Sequence, residues 1–445
     1  MDVLINRCAG LDVHKKTIVV CVLVVGADGR VSKEIREYRT MTRDILNLAD
    51  WLAQSEVTHV AMESTGVFWK PIYNLLDGRF EILLVNAQHI KQVPGRKTDV
   101  KDCEWIARCL QHGLLRASFI PSRATRDLRD LLRHRAQLAS EKTRETNRIH
   151  KILEDANIKL GAVASDILGV SGRAMIRAMI DGEEDSEALA ELARRKLRGK
   201  IPDLRVALEG KVLDHHRFML RMHLAHVEYI ESQIEEITVR VEQLMSPQGP
   251  SGGPDGGRSQ ELVADAVSQP VQQPFSYDQA IALLVPVPGL ERSVIQNILA
   301  ETGLDMAQFP SAAHISSWAG VCPGNNESAG KRRSGKTTKG SRWLRRSLCQ
   351  AAWAAARSCD TYFSAQYKRL APRRGKKRAI MAVAHSLLVT IYHMLKTRTP
   401  YRDLGANWFD QLHPEKLTRY LVRRLETLGY KVSLERTLSD QLVPA

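Results

Sequence analysis

The first 115 residues contain several short apolar runs rich in β-branched residues, and an acid lies near one end of two of these runs. Asp12 precedes the run 18–25, and Glu63 closes the run 57–62. Apolar runs of this length, separated by turn residues, are typical of buried strands. The amino-terminal part of the chain must therefore form a sheet, and its acids are expected at strand ends.

The order of the predicted elements indicates an α/β domain of RNase H-like fold over residues 1–120. Three closely spaced strands come first, as an antiparallel meander, and helices and strands then alternate. The first strand is predicted to end near Asp12, and the others span 17–25, 31–38, 59–63 and 80–86. Helices are predicted over 42–53, with Thr42 as the cap, over 67–76 and over 99–111.

The rest of the chain is predicted to be all-α, with one interruption. Residues 121–245 form a helical middle region that ends in a heptad seam, which fits either an intramolecular helical hairpin or a dimerising coiled coil. Residues 246–275 are predicted to be a flexible Pro- and Gly-rich linker, 276–400 a second helical domain, and 401–445 a mixed tail. The seam consists of Val227, Ile230, Ile234, Ile237, Val241 and Leu244.

The charge balance indicates a polyanionic partner. The chain has 65 Lys and Arg against 50 Asp and Glu, a formal net charge of +15. Such an excess favours nucleic acid as the partner, the alternative being a basic protein without one. The seven cysteines lack zinc-site spacing, and no apolar stretch reaches the roughly 18 residues of a membrane span. The sequence therefore predicts a cytoplasmic protein with reduced thiols, no signal peptide and no membrane segment.

Four acids from three predicted elements suit a magnesium site. Carboxylate oxygens are the ligands that Mg²⁺ prefers, and bound ions could stabilise the entering and leaving oxygens of a phosphodiester. Two of the acids are three residues apart and would share a helix face. Alternatively, Lys97 and Lys101 neutralise the acids without metal. The acids are Asp12, Glu63, Asp99 and Asp102.

A second candidate site follows a Gly- and Asn-rich loop near residue 325. Residues 331–346 contain eight Lys or Arg and no acid, which favours contact with a phosphate backbone. A serine beside such cations could attack phosphorus, and composition alone leaves Ser328, Ser334 and Ser341 open. The basic residues are Lys331, Arg332, Arg333, Lys336, Lys339, Arg342, Arg345 and Arg346.

Two further features favour nucleic-acid contacts. Residues 287–290 and the segment after them resemble a helix-hairpin-helix turn, in which Gly289 permits a tight approach and backbone amides can meet a phosphate. Residues 368–378 contain seven Lys or Arg, either as another nucleic-acid contact or as a solvated face.

These motifs, taken in order, resemble the DEDD transposases of bacterial insertion sequences, in the insertion sequence one-ten family. The resemblance runs from about residue 8 to residue 395. It rests on Gly10-Leu11-Asp12, Glu63-Ser64-Thr65-Gly66, Lys97-Thr98-Asp99-Val100-Lys101-Asp102, Pro288-Gly289-Leu290, Ala319-Gly320-Val321-Cys322-Pro323, Glu327-Ser328, Gly335-Lys336 and Leu344-Arg345-Arg346.

The resemblance implies a RuvC-like amino-terminal domain whose acids bind Mg²⁺, and a carboxy-terminal transposase domain whose nucleophile matches Ser328. It implies a composite active site, in which the acids of one protomer meet the serine of another and a phosphoserine link to DNA forms. It also implies guidance by a bridge RNA that pairs with donor and target DNA, in tetramers built from two dimers, which the heptad seam would suit.

One departure from the family and two alternative functions remain at this stage. The Pro- and Gly-rich stretch 246–262 is similar to an insertion before the carboxy-terminal domain. The alternatives are a RuvC-type Holliday-junction nuclease that uses the four acids and water, and a non-catalytic nucleic-acid-binding protein.

Overall fold

The computed structural model describes residues 3–64, 66–86, 90, 93, 101–246, 275–323, 326–328, 331–334, 336–337, 340–412 and 414–434. These residues form two compact units, which meet along the chain between Ser122 and Arg123. The first is a mixed α/β unit and the second is mostly helical. The predicted linker 246–275 lies outside the described residues, apart from its two ends.

The first unit is built on a mixed five-stranded sheet in the order β3-β2-β1-β4-β5. The central strand β1 pairs antiparallel with β2 and parallel with β4. Three antiparallel strands followed by two parallel ones is the order predicted from the sequence, and the mixed α/β class is confirmed. The strands are β1 (Arg7–Val13), β2 (Thr17–Val25), β3 (Val31–Arg39), β4 (His59–Glu63) and β5 (Glu81–Val85).

Helices cover both faces of this sheet, because alternate residues of β1 are buried on opposite sides. Ala9 and Leu11 pack in one core with Leu48 of a helix that follows β3. Cys8 packs in the other core with Ile106. The helices are α1 (Thr42–Gln54), α2 (Trp69–Leu76) and α3 (Asp102–Gln111).

Two helix starts differ from the predictions. Thr42 is the first residue of α1, after Met41, so its predicted capping role is wrong. Helix α3 begins at Asp102, because Lys101 is extended, with ψ of 146°. The prediction that this helix begins at Asp99 is therefore wrong, and Asp99 itself lies outside the described residues.

The second unit contains two long helices that lie along each other, α4 (Arg123–Asp155) and α9 (Asp214–Met245). Leu132 of α4 and Val241 of α9 share a core with Ile295 and Leu348 from the carboxy-terminal part. The other helices are α5 (Leu160–Val163), α6 (Val170–Asp181), α7 (Ser186–Glu191), α8 (Ile201–Ala207), α10 (Tyr277–Leu284), α11 (Arg292–Thr302), α12 (Ala312–Trp318), α13 (Arg342–Arg357), α14 (Tyr362–Arg374), α15 (Lys376–Thr397), α16 (Trp408–Gln411) and α17 (Pro414–Thr427), with 3-10 turns at Arg195–Lys200 and Met306–Gln308.

The heptad seam of α9 is packed inside this unit. Val227, Ile230 and Val241 are each at most 1% exposed, and Val227 lies in a core with Ile149 of α4. The described residues therefore show the intramolecular helical pair, and a dimerising coiled coil stays a prediction.

Gly289 makes the predicted tight approach, but it approaches another helix of the protein, where a nucleic-acid contact was expected. Gly289 has φ of +83°, and an added Cβ would lie 2.4 Å from the carbonyl oxygen of Ala351 in α13. Glycine is required here because a helix of the same unit lies against the turn. The close contact is thus with protein, although the first turn of α11 remains open to solvent.

Helix α15 is long and apolar enough to cross a membrane by length and composition alone. Its side chains Val383, Leu387 and Ile391 are instead at most 1% exposed within the core of the second unit. A buried core helix accounts for this composition, and no membrane-spanning architecture is indicated. The seven cysteines are free thiols.

Candidate functional site

Asp12 and Glu63 come from neighbouring parallel strands. In the register of β1 and β4, Leu11 lies opposite Met62, and each acid is the next residue along its strand. Successive strand residues point to opposite faces. Asp12 therefore shares the face of Cys8, which packs with Ala61 under α3, and Glu63 shares it two residues after Ala61.

Gly10 explains how Asp102 reaches the same face. An added Cβ on Gly10 would lie 2.3 Å from both the amide nitrogen of Ala107 and the carbonyl oxygen of Cys103. Helix α3 can therefore cross β1 in direct backbone contact only because residue 10 has no side chain. Since α3 begins at Asp102, this crossing places its amino-terminal end beside the strand end that carries Asp12.

Asp102 and Glu63 lie close enough to Asp12 for their charges to affect its carboxyl. The pKa of the Asp12 carboxyl is raised, first by burial and then by the negative charges of Asp102 and Glu63, while His14 acts in the opposite direction. His14 places Nε2 3.2 Å from Oδ2 of Asp12, whose side chain is 22% exposed. The site thus concentrates negative charge that a cation would relieve.

The donor set fits a hard divalent cation in chemistry. Two strand ends and one helix start supply carboxylate oxygens on one face of the sheet, as Mg²⁺ prefers. Among the described residues, however, no group of three or more His, Cys, Asp or Glu side chains is arranged so that it could hold a metal ion. Asp99, the fourth predicted ligand, lies outside the described residues.

Glu104, which sequence reasoning missed, supports this site rather than joining it. Its side chain is 7% exposed and accepts hydrogen bonds from Lys33 of β3 at 2.9 Å and from Arg108 at 2.7 Å. Burial acts to raise its pKa, but the two cations outweigh it and the pKa is lowered. Glu104 therefore ties α3 to the edge of the sheet. An acid two residues into a helix, with a lysine on a preceding strand, is too weak a sequence signal to predict this.

Ser328 lies in a short β-hairpin of the second unit, where the sequence predicted a loop in an all-helical domain. Strand β6 (Asn326–Ser328) pairs antiparallel with β7 (Lys331–Ser334), and Ser328 is opposite Lys331. The all-helical prediction is therefore wrong at this point. The hairpin places the backbone of Ser328 next to the first residue of the basic run.

Ser341, an alternative nucleophile by composition, has a structural role. Its Oγ accepts a hydrogen bond from the amide of Leu344 at 3.3 Å and donates one to Oε2 of Glu301 at 3.1 Å. It is the N-cap of α13, so its hydroxyl is occupied by the helix start. For Ser334 the structure describes only the backbone, at the end of β7.

The basic run is divided between the hairpin and the start of α13. Lys331, Arg332 and Arg333 lie in β7, and Lys339 lies outside the described residues. Lys336, Arg342 and Arg346 are exposed, and Arg345 is half-buried. The second basic cluster, 368–378, is also largely exposed, where α14 ends and α15 begins. Exposed cations at these positions suit contact with a phosphate backbone.

Comparison with known proteins gives the family. A family model described as the DEDD transposase of IS110 matches residues 9–158, which include Asp12, Glu63 and Asp102. A second, described as the transposase of the IS116/IS110/IS902 family, matches residues 281–368, which include the hairpin of Ser328. Comparison with curated proteins gives no match. The two family matches together span more than half of the 445 residues, and the chain therefore belongs to the IS110 family of transposases.

Proposed function

We propose that this transposase cuts and rejoins DNA through a covalent serine–phosphate link at Ser328, with Mg²⁺ held by Asp12, Glu63, Asp99 and Asp102, and with a bridge RNA selecting donor and target DNA. The observation that carries the proposal is the grouping of Asp12, Glu63 and Asp102 on one face of the sheet. The negative charges of Asp102 and Glu63 act to raise the pKa of Asp12, and a bound cation would relieve this crowding.

In this proposal Ser328 makes and breaks the bonds to phosphorus. The Oγ of Ser328 forms a bond to phosphorus as the bond from phosphorus to the leaving sugar oxygen breaks. The serine hydroxyl gives up its proton, and the leaving oxygen takes one up. Rejoining runs in the opposite sense, with the hydroxyl of another DNA end displacing Oγ, so no external energy source is needed.

The carboxylates have a holding role in this proposal. Bound Mg²⁺ would stabilise the charge that develops on the oxygens around phosphorus. Asp12 pairs with Val19 of β2 and Glu63 with Val85 of β5, and the contact between α3 and Gly10 holds Asp102. Rigid placement of this kind favours a site that binds the scissile phosphate in one orientation.

Basic surfaces support guidance by RNA. The exposed cations at Lys336, Arg342 and Arg346 and within 368–378, together with the net charge of +15, suit contact with the phosphates of a nucleic acid. The resemblance to the insertion sequence one-ten family supplies the identity of the second nucleic acid. The heptad seam packs within the unit at Val227, Ile230 and Val241, and we propose that dimers and tetramers form through the helical region.

The proposal is tested by reconstituted recombination. Purified protein, Mg²⁺, donor and target DNA and the RNA transcribed from DNA flanking the gene are expected to give joined products, which sequencing identifies. Changing the RNA loop should redirect the target in a matching way. Joined products that form equally well without RNA would exclude the guidance part of the proposal.

A matched pair of variants separates the acids from general charge effects. Asp102→Asn is expected to abolish products, because it removes a carboxylate from the crowded face. Glu37→Gln removes one negative charge from an exposed position on β3 and should leave products unchanged. Full activity of Asp102→Asn would show that the acids do not hold the metal.

A further inference from the structure

A cavity of about 460 Å³ opens among four helices of the second unit. Its walls come from α4, α9, α11 and α13, which carry respectively Arg135, Thr238, Gln296 and Trp343. The volume lies within the range of pockets that bury a small organic molecule. The cavity has no part in the proposed cutting and joining steps.

The lining of this cavity carries an excess of positive charge. Four arginines and two glutamates line it. Both glutamates are already paired, Glu301 with Arg133 at 2.7 Å and Glu242 with Arg292 at 3.0 Å. The other two guanidinium groups, of Arg135 and Arg346, therefore set the charge that the cavity offers to a ligand.

Arg135 is the deepest of these cations and has only neutral hydrogen-bond acceptors. Its residue is 8% exposed, and it donates to Oε1 of Gln296 at 3.1 Å and to the carbonyl oxygen of Ser293 at 3.5 Å. Burial lowers its pKa, with the charge of Glu242 acting in the opposite direction. A guanidinium stays charged under all ordinary conditions, so an anion entering the cavity would offset the cost of its burial.

The rim supplies both further anion contacts and an aromatic ring. Arg346 is exposed and donates to Ser140 at 2.9 Å. The first turn of α11 faces the cavity with Arg292 and Ser293, and its N-cap Glu291 makes no side-chain capping bond, which leaves the helix start suited to an anion. Trp343 is half-buried, with the guanidinium of Arg133 5.9 Å from its ring centre.

We propose that this cavity binds one nucleotide of a single-stranded nucleic acid, with the phosphate against Arg135 and the start of α11 and the base beside Trp343. A phosphate with a planar base combines the two features that the lining requires, an anion and a flat ring that stacks on an aromatic and a guanidinium group. The inference needs only a nucleic-acid-binding transposase, and it is independent of the assignment of Ser328.

Binding of short labelled oligonucleotides to the full-length protein tests the proposal. Trp343→Leu and Arg135→Met should each weaken binding of a single-stranded oligouridine about tenfold. Ala139→Trp should do the same by closing the mouth, since Ala139 is an exposed lining residue whose substitution leaves the charge and the core unchanged. If Arg135→Met fails to fold, Ala139→Trp and Trp343→Leu decide the matter.

Arg357→Ala is the matched control. Arg357 is exposed at the far end of α13, so its loss should leave binding unchanged. Equal losses for this control, or for duplex DNA, would mean that the losses are not specific to the cavity and to single strands, and would overturn the proposal. Unchanged binding by folded Trp343→Leu and Ala139→Trp would overturn it as well. The same titrations with oligothymidine identify the source of the nucleotide, because loss on RNA alone assigns it to RNA and loss on both assigns it to either strand type.

Discussion

At the scale of single residues, Asp12 is a carboxyl that lies close to other negative charges, on a backbone held in place by strand pairing. Its pKa is raised by burial and by the charges of Asp102 and Glu63. When the pKa of a carboxyl is higher in the folded than in the unfolded state, its contribution to folding stability is fully present below the unfolded-state pKa, near 3.8. This contribution is lost as the pH rises through the folded-state pKa. At neutral pH the ionised carboxylate therefore destabilises the metal-free protein.

Asp12→Asn is expected to stabilise the metal-free protein at neutral pH, because it removes the crowded charge. We expect a rise of a few degrees in the melting temperature, corresponding to about 1 kcal/mol. The advantage should shrink at a pH below the unfolded-state pKa of 3.8, because the carboxyl then becomes protonated in both the folded and the unfolded state. Differential scanning calorimetry at both pH values measures this.

Magnesium should reverse the difference in melting temperature between Asp12→Asn and the native protein. Added Mg²⁺ is expected to raise the melting temperature of the native protein and to have less effect on Asp12→Asn, since ligand binding to the folded state stabilises it. Glu37→Gln, at an exposed site of β3, is the control and should behave as the native protein. A native protein that gains no stability from Mg²⁺ would contradict the assignment of these acids as metal ligands.

Gly10 is the residue on which the placement of Asp102 depends. Gly10→Ala would put a Cβ 2.3 Å from backbone atoms of α3, and backbone atoms cannot rotate away. We expect a loss of about 1–3 kcal/mol in the free energy of unfolding, as for other overpacked sites. We also expect the activity to fall by a larger fraction than the stability, because α3 must shift. Urea unfolding and the recombination assay measure the two effects.

Gly199→Ala serves as the control for Gly10, because an added Cβ at Gly199 meets nothing within 4 Å. It should leave both stability and activity close to native. Gly10→Ala with native activity would show that the contact between β1 and α3 does not position Asp102.

At the scale of elements, a buried ion pair holds the start of α13. Glu301, 5% exposed in its side chain, accepts two hydrogen bonds from Arg133 at 2.7 and 2.9 Å and one from Ser341. Ser341 in turn caps α13. The long helix α4, the end of α11 and the basic start of α13 are thus joined through one carboxylate.

Glu301→Ala should cost about 2–3 kcal/mol in the free energy of unfolding, because it leaves Arg133 partly buried without its partner and releases the cap. Asp127→Ala breaks an exposed pair with Arg123, in which both side chains are 58% exposed, and should cost less than about 1 kcal/mol. Chemical denaturation of the two variants gives the comparison. Equal costs for the two would mean that the Glu301 network is only a surface feature.

Elements with a strong apolar pattern were predictable from the sequence, and polar ones were not. Strands β2 and β4 lie where the β-branched runs predicted them, because a buried strand needs apolar side chains. Strands β6 and β7, with the sequences Asn326–Ser328 and Lys331–Ser334, contain no apolar alternation, so nothing in their pattern indicated a hairpin. The start of α3 was placed too early for a related reason, since polar residues around Asp99 carry no periodic signal.

The candidate site was predictable in its residue types and only partly in its geometry. Acids at the ends of apolar runs pointed to Asp12 and Glu63, which the register of β1 and β4 brings side by side. The close crossing at Gly10 depends on a contact between residues about a hundred positions apart. The heptad seam of α9 could pack equally well against a helix of the same chain or a helix of a second copy. An apolar stripe does not encode to which chain the facing helix belongs.

At the scale of the whole molecule, the two proposed chemical roles belong to residues in different units of the chain. The acids lie in the α/β unit and within the first family match, and Ser328 lies in the mostly helical unit and within the second match. A DEDD transposase in which a serine attacks phosphorus needs both. The central claim is therefore that Ser328 supplies the attacking atom while the acids hold the metal.

Trapping the covalent intermediate tests this claim most directly. The protein is incubated with Mg²⁺, RNA and a DNA substrate whose scissile strand carries a nick that prevents rejoining, and adducts are resolved on denaturing gels and located by peptide mass spectrometry. The account predicts a DNA-linked peptide modified at Ser328, which is lost in Ser328→Ala, while Ser341→Ala still forms the adduct. An adduct that persists in Ser328→Ala, or strand cleavage by that variant with water as the attacking group, would contradict it.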